Sequence, residues 1–107
     1  MKNRRLNIAI IGLGNIGSYL YKFLQLNKKI LSKKNNCILN LVYVSAKNRN
    51  KKRQFKINKN RWFNHYLDST KSNKIDIIVE LIGGAEGPAK KLVFAALKNK
   101  KHVVTAN

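Results

Sequence analysis

A chain of 107 residues makes one domain that buries about two-thirds of its unfolded surface, so several independent cores are excluded. Its 44% apolar content excludes disorder as the default, and its single cysteine, Cys37, excludes an internal disulfide and suits a reducing compartment. Twenty-three Lys and Arg against four Asp and Glu give a net charge of +19, which suits either a nucleic-acid or other anionic partner or a compositional bias that scatters lysine over every solvent-facing position.

The start, Met1-Lys2-Asn3-Arg4-Arg5 and then apolar residues, has the outline of a secretory signal. Gly12 and Gly14 break the apolar run, no small-residue cleavage site follows, and no stretch reaches the length of a membrane span. The expectation is a cytoplasmic protein with no membrane partner. Leu6–Ile11 reads as a first strand, apolar on both faces as a buried parallel strand must be. Gly12-Leu13-Gly14-Asn15-Ile16-Gly17 follows, a G-x-G-x-x-G between strand and helix. In that pattern the first glycine turns the chain tightly, the second leaves the backbone open to a pyrophosphate, and the third lets the helix pack closely. The free N–H groups and positive dipole end of the helix face the phosphates. The other reading is a strand–turn–helix that binds nothing.

Ile16, Tyr19, Leu20, Phe23 and Leu24 recur at helical spacing and predict one apolar stripe, with the helix ending between Leu26 and Leu31 and a polar turn over Lys33-Lys34-Asn35-Asn36. Ile38–Val44 is a second strand, with Cys37 a small residue at its start. A basic loop comes next, from Lys47 and Arg49 through Lys51, Lys52, Arg53, Lys56 and Lys59 to Arg61. Such a run is ordinarily solvated. No aromatic residues interleave regularly with the basic ones and no zinc or RNA-binding signature is present, so nucleic acid is not the expected partner.

Trp62, Phe63, Tyr66 and Leu67 predict one or two packed helical turns, in which His65 is given no chemistry. Ile75–Leu81 is a third strand, and Ile82-Gly83-Gly84-Ala85-Glu86-Gly87 a flexible connection, with Glu86 supporting the next helix N-terminus. Pro88 suits the first turn of a helix in which Ala89, Leu92, Val93, Ala96 and Leu97 recur at helical spacing, while Lys98, Lys100 and Lys101 suit its carboxyl end. Val103–Thr105 opens a fourth strand. Strands alternating with helices imply an α/β fold: a Rossmann-type doubly wound parallel sheet, first half only, of about four strands, expected in the order 3-2-1-4 with the first strand interior.

Two further segments resemble a known family. Asp76-Ile77-Ile78-Val79-Glu80-Leu81-Ile82-Gly83-Gly84 and Lys101-His102-Val103-Val104-Thr105-Ala106-Asn107 are similar to homoserine dehydrogenases. Those enzymes carry roughly D-(V/I)-V-V-E-L-I-G-G, an Ala- and Leu-rich helix, then G-K-H-V-V-T-A-N-K. Val44-Ser45-Ala46-Lys47 and Arg61-Trp62-Phe63 also fit the family pattern, so the likeness spans nearly the whole chain.

The resemblance implies an NAD(P)-binding domain over residues 1–107, in which Gly12, Leu13, Gly14, Asn15, Ile16 and Gly17 hold the pyrophosphate. Thr105 and Asn107 would approach the nicotinamide, and Glu80 and Gly83 would wall the cleft. It further implies interconversion of L-homoserine and L-aspartate 4-semialdehyde by hydride transfer, on the route to threonine and methionine, in a homo-oligomer. The lysine that follows Asn in the family pattern is not in this chain, nor is the substrate domain with its proton-handling lysine. The chain is therefore expected to be a truncated cofactor domain, inactive alone, that meets homoserine or the semialdehyde only in the complete enzyme. A standalone dinucleotide-sensing module without catalysis would carry the same glycine loop.

An NAD-specific site wants an acid at the end of the second strand. This chain has no acid before Asp68 and offers Ser45-Ala46-Lys47-Asn48-Arg49 there. Lys47 first and Arg49 second would attract the 2′-phosphate of NADP, with NAD as the other possible cofactor. The alternative is that the whole loop is a solvated surface.

Overall fold

The structure, a computed structural model, describes residues 4–48, 50–53, 55–63, 65–82 and 87–106. Arg49, Asn107 and, of the expected connection from Ile82 to Gly87, residues 83–86 lie outside them. The elements run β1 (Arg4–Ile11), α1 (Asn15–Leu26), α2 (Lys28–Asn35), β2 (Cys37–Ser45), a 3₁₀ turn (Lys59–Arg61), α3 (Asp68–Lys71), β3 (Ile77–Glu80), α4 (Pro88–Lys98) and β4 (His102–Thr105). All strand pairings are parallel, and the order across the sheet is β2-β1-β3-β4. Among the described residues no helix is long and apolar enough to cross a membrane.

β1 is interior as expected, and its side chains alternate between two cores. Ile8 and Ile10 join Leu13, Tyr21, Leu24, Leu41, Val44 and Val79 under α1. Ala9 and Ile11 join Ile75, Ile78, Leu92 and Ala96 under α4. The period of two puts successive residues on opposite faces, and each fully buried Ile stabilises the fold by about 1.5–3 kcal/mol. Ile8 pairs with Leu41 but Ala9 with Tyr43, so β2 holds one extra residue, Val42. That bulge puts Leu41 and Val44, three apart, in the same core.

The expected sheet order 3-2-1-4 is corrected. The strand before the second glycine-rich stretch pairs with β1, on the side away from β2. The place beyond β2 is taken by the aromatic segment expected to be helical. Trp62 forms a parallel bridge with Val44, and the Phe63 N–H donates to the Val44 carbonyl at 3.1 Å. The Lys59–Arg61 turn immediately before it leaves no extended run to pair, so this strand shrinks to a single bridge. Counted as a strand, it restores the spatial order 3-2-1-4-5 of a doubly wound sheet. The helical turn falls later, at Asp68–Lys71, where Ser69 and Thr70 are buried.

The stripe expected on α1 is also corrected. Gly17, Tyr21 and Leu24 are buried and Leu20 packs beside them, whereas Ile16 and Tyr19 are 66% and 70% exposed and Phe23 40%. Gly17 sets the roll of the helix. A Cβ there would stand 1.9 Å from the Gly12 carbonyl oxygen, so position 17 must face the loop, and 20, 21 and 24 turn inward with it. Nor does the chain leave the helix for good at Leu26. Asn27 interrupts it, its side-chain amide donating to the Phe23 carbonyl at 2.9 Å, and α2 restarts through the expected polar turn to Asn35. Asn36, in left-handed geometry (φ 51°), ends it.

α4 begins with Pro88 at its first turn, as read. It ends in a Schellman arrangement: the Lys100 N–H donates to the Leu97 carbonyl and the Lys101 N–H to the Ala96 carbonyl. Lys100 therefore sits at φ 61°, where the family pattern has glycine. Lys101 does more than suit a helix end. Its ammonium donates to the Ser72 and Ile75 carbonyls at 2.5 and 2.7 Å, tying the start of β4 to the turn before β3.

Candidate cofactor-binding site

The carboxyl ends of β1, β2 and β3 meet at a cleft of about 700 Å³. It lies where the chain leaves β1 toward β2 on one side and β3 on the other, the switch point at which doubly wound sheets bind ligands. Gly12 turns out of β1 at φ 107°. A Cβ on it would come within 2.5 Å of the Leu81 carbonyl group, so only glycine lets the β3 exit pass this close. The turn is held by the Gly12 N–H on the Ser45 carbonyl and the Leu81 N–H on the Ile11 carbonyl, each 2.8 Å. Gly14 is the opposite case: among the described residues nothing lies within 4 Å of where its Cβ would be. That open backbone face, immediately before α1, is the cradle a pyrophosphate needs. Gly14 is the N-cap residue of α1 and supplies no side-chain cap, and the first turn holds no acid. Its N–H groups and dipole are thus available to an anion. The residues fit the group.

The expected site residues divide. Gly12, Leu13, Gly14 and Lys47 line the cleft, together with Ser45, Ala46 and Asn48 from the end of β2. Asn15 lines an adjoining hollow with Ser18 and Lys22. Ile16 lies in the first turn of α1 with its side chain exposed and lines neither hollow, and Gly17 packs on the Gly12 carbonyl rather than reaching the cleft. Arg49, Gly83 and Asn107 lie outside the described residues.

Thr105 lies at the end of β4 and is held there. Its hydroxyl donates to Glu80 Oε1 at 2.5 Å, and the Ile82 N–H donates to Oε2 at 2.7 Å. Glu80 is 1% exposed, an ionisable side chain buried at the end of its strand. A carboxylate is tolerated at such depth because both oxygens accept hydrogen bonds.

Sequence reasoning passed over four residues that the fold brings to the cleft: Lys51, Arg53, His65 and Tyr66. The basic loop is not simply solvated. Phe55 stacks on Tyr21 at 4.7 Å between ring centroids, and Phe55 and Ile57 pack on the core under α1. Arg53 donates to the Lys51 and Asn48 carbonyls at 3.1 and 2.9 Å and lies 5.6 Å from the Trp62 ring centroid. The loop is thereby folded against the protein as an arm along the cleft. Phe55 and Ile57, apolar residues in a run of lysines, were the available signal. The His65 ring lies tilted against Tyr66, and its Nδ1 accepts from the Leu67 N–H at 3.2 Å. Among the described lining residues there is no carboxylate.

Comparison with known proteins agrees with this geometry. Residues 12–107 match the family described as "Homoserine dehydrogenase, NAD binding domain". The chain is 32% identical to the homoserine dehydrogenase of Bacillus subtilis over 104 residues, 97% of this chain and 24% of that protein. It is 35% identical to that of Helicobacter pylori over 109 residues, again 97% and 24%. In three dimensions it superposes on crystalline Staphylococcus aureus homoserine dehydrogenase with a TM-score of 0.85 and 35% identity, covering 97% of this chain and 26% of that one. For the Thiobacillus denitrificans enzyme the TM-score is 0.77 at 29% identity, covering 97% and 24%. The chain thus spans about a quarter of the relatives it matches. With a glycine loop shaped for a pyrophosphate at a sheet switch point, it belongs to the homoserine dehydrogenase family, as that family's NAD-binding domain.

Proposed function

We propose that this domain serves a homoserine dehydrogenase reaction, L-homoserine to L-aspartate 4-semialdehyde and back, and that it takes NADP in preference to NAD. The observation that carries the cofactor choice is the cleft wall beyond β2, where Lys47, Lys51 and Arg53 stand and no described carboxylate does. An NAD site places an acid there to accept from the ribose hydroxyls; that acid would repel a 2′-phosphate, which the cations attract. A charge-assisted hydrogen bond contributes about 1.5–3 kcal/mol, so one good contact gives roughly a ten- to hundredfold preference. Lys47, nearest the end of β2, is the expected partner. Lys51 and Arg53 strengthen the local field, and the rest of the arm adds screened attraction.

The nicotinamide supplies the hydride acceptor when bound. This chain's own part is to hold the pyrophosphate on the Gly12–Gly17 loop and to orient the two halves of the cofactor on either side of it. No residue here is assigned to homoserine, whose binding and proton transfer belong to the remainder of a complete family enzyme. The test is titration of NADPH and NADH against wild type and Lys47→Ala at moderate salt. Wild type should bind NADPH at least about tenfold more tightly, and the variant should lose most of that difference. Equal affinity of wild type for both cofactors refutes the NADP proposal; unchanged NADPH affinity in Lys47→Ala moves the contact elsewhere in the loop, to Arg49 first.

A further inference from the structure

We propose that Glu80 is a positioning residue for the nicotinamide half of the cofactor. The inference rests on the dinucleotide reading above and adds a residue that reads out separately. Glu80 is the last residue of β3 and pairs in register with Thr105, the last of β4. Its neighbours along the strand are Ile77, Ile78 and Val79, and an apolar residue would fill its place at no electrostatic cost. The chain has only four acids, and among the described residues this is the one that is buried.

The carboxylate joins two chain segments that leave the sheet in different directions. One oxygen accepts from the Thr105 hydroxyl at the exit of β4, and the other from the Ile82 N–H at the exit of β3. The Glu80 carbonyl accepts the Ala106 N–H at 3.3 Å, so the same residue also holds the next position of the β4 exit. Ile82 lines the cleft. A dinucleotide crosses a doubly wound sheet with its adenosine half at the end of β2 and its pyrophosphate on the glycine loop. The other half then passes over the ends of β3 and β4, the two exits that Glu80 clamps. The adenosine half lies on β2 and the arm, beyond the clamp. Loss of the clamp should therefore weaken one half of the ligand and spare the other, whereas a loss of global stability would weaken both.

The experiment titrates the 107-residue chain with NADPH and NADH, and with their adenosine fragments 2′,5′-ADP and ADP. Glu80→Ala, which removes both acceptors, should bind the dinucleotide about tenfold more weakly while the fragment binds as to wild type. Thr105→Val removes one side of the clamp at an exposed position; it should shift the dinucleotide in the same direction by about threefold and carries the test if Glu80→Ala does not fold. Glu80→Gln can still accept from Ile82 and donate to the Thr105 hydroxyl, and should recover most of the affinity. Equal weakening of dinucleotide and fragment, or of neither, overturns the positioning role. Failure of wild type to bind either ligand overturns the dinucleotide reading itself.

Discussion

The three glycines of the loop meet different surroundings, and alanine separates them. At Gly12 a methyl group would overlap the Leu81 carbonyl in a backbone conformation at φ 107° that side chains rarely adopt. At Gly17 it would overlap the Gly12 carbonyl oxygen. Neither obstacle is a flexible side chain, so the backbone must move. Gly12→Ala and Gly17→Ala should each cost at least about 2–3 kcal/mol, a large share of the stability of a small domain. At Gly14 no described residue would be touched, and the loss is only the advantage of Gly over Ala at a helix N-cap, about 0.5–1 kcal/mol. Gly14→Ala should melt within a few degrees of wild type yet lose dinucleotide affinity by about tenfold or more, because the new methyl projects into the space the pyrophosphate needs. Thermal melts and NADPH titrations of the three variants measure this. A Gly14→Ala chain that binds like wild type would mean that the phosphates do not approach that face.

Along the elements, the apolar runs Leu6–Ile11 and Ile38–Val44 located β1 and β2 to within two residues, and Pro88 located the start of α4. These features are local: a buried parallel strand must be apolar on both faces, and proline suits one position of a helix. What escaped depends on contacts far apart in sequence. Ile16, Tyr19 and Phe23 have the spacing of a buried stripe, but the seating of Gly17 on Gly12 turns them outward. Trp62 looks helical beside its aromatic neighbours, and only its bridge to Val44 shows that it occupies a strand position. Lys47 was legible as a cleft residue because it follows β2 directly; Lys51 and Arg53 were not, because Phe55 and Ile57 must first fold the arm back. Lys100 is a departure that sequence and structure explain together. It holds φ 61° in the Schellman turn after α4, where the family pattern has glycine. A non-glycine residue there is strained by about 1–2 kcal/mol, so Lys100→Gly should stabilise the chain by about 1 kcal/mol once the entropy of a more flexible unfolded chain is set against it. Denaturant titration checks it; destabilisation by Lys100→Gly would mean that the lysine side chain makes a compensating contact.

At the scale of the molecule two tendencies oppose each other, and salt sets their balance. A net charge of +19 on 107 residues makes neighbouring chains repel. Against this stands an apolar and partly unpaired surface. β4 pairs with β3 on one side and has no strand on the other among the described residues, and Val104 on it is 57% exposed. Phe94 and Leu97, on the helix that packs against β4, are also exposed, as are Ile16, Tyr19 and Leu26 along α1. An exposed strand edge with apolar flanks invites pairing, and charge on the chain is what counters it. The Debye length falls from about 10 Å at 0.1 M salt to about 3 Å at 1 M, so repulsion between surfaces fades while hydrophobic contact does not. Self-association should therefore increase with salt, the reverse of an assembly held by ion pairs, and should be suppressed by an added charge at the edge. Sedimentation velocity at about 0.05 M and about 1 M sodium chloride measures the first effect, and Val104→Lys, at an exposed strand position, the second. A monodisperse monomer at high concentration in both salts would show that the β4 edge is protected in the isolated chain. Association that weakens as salt rises would instead place the contact at paired charges.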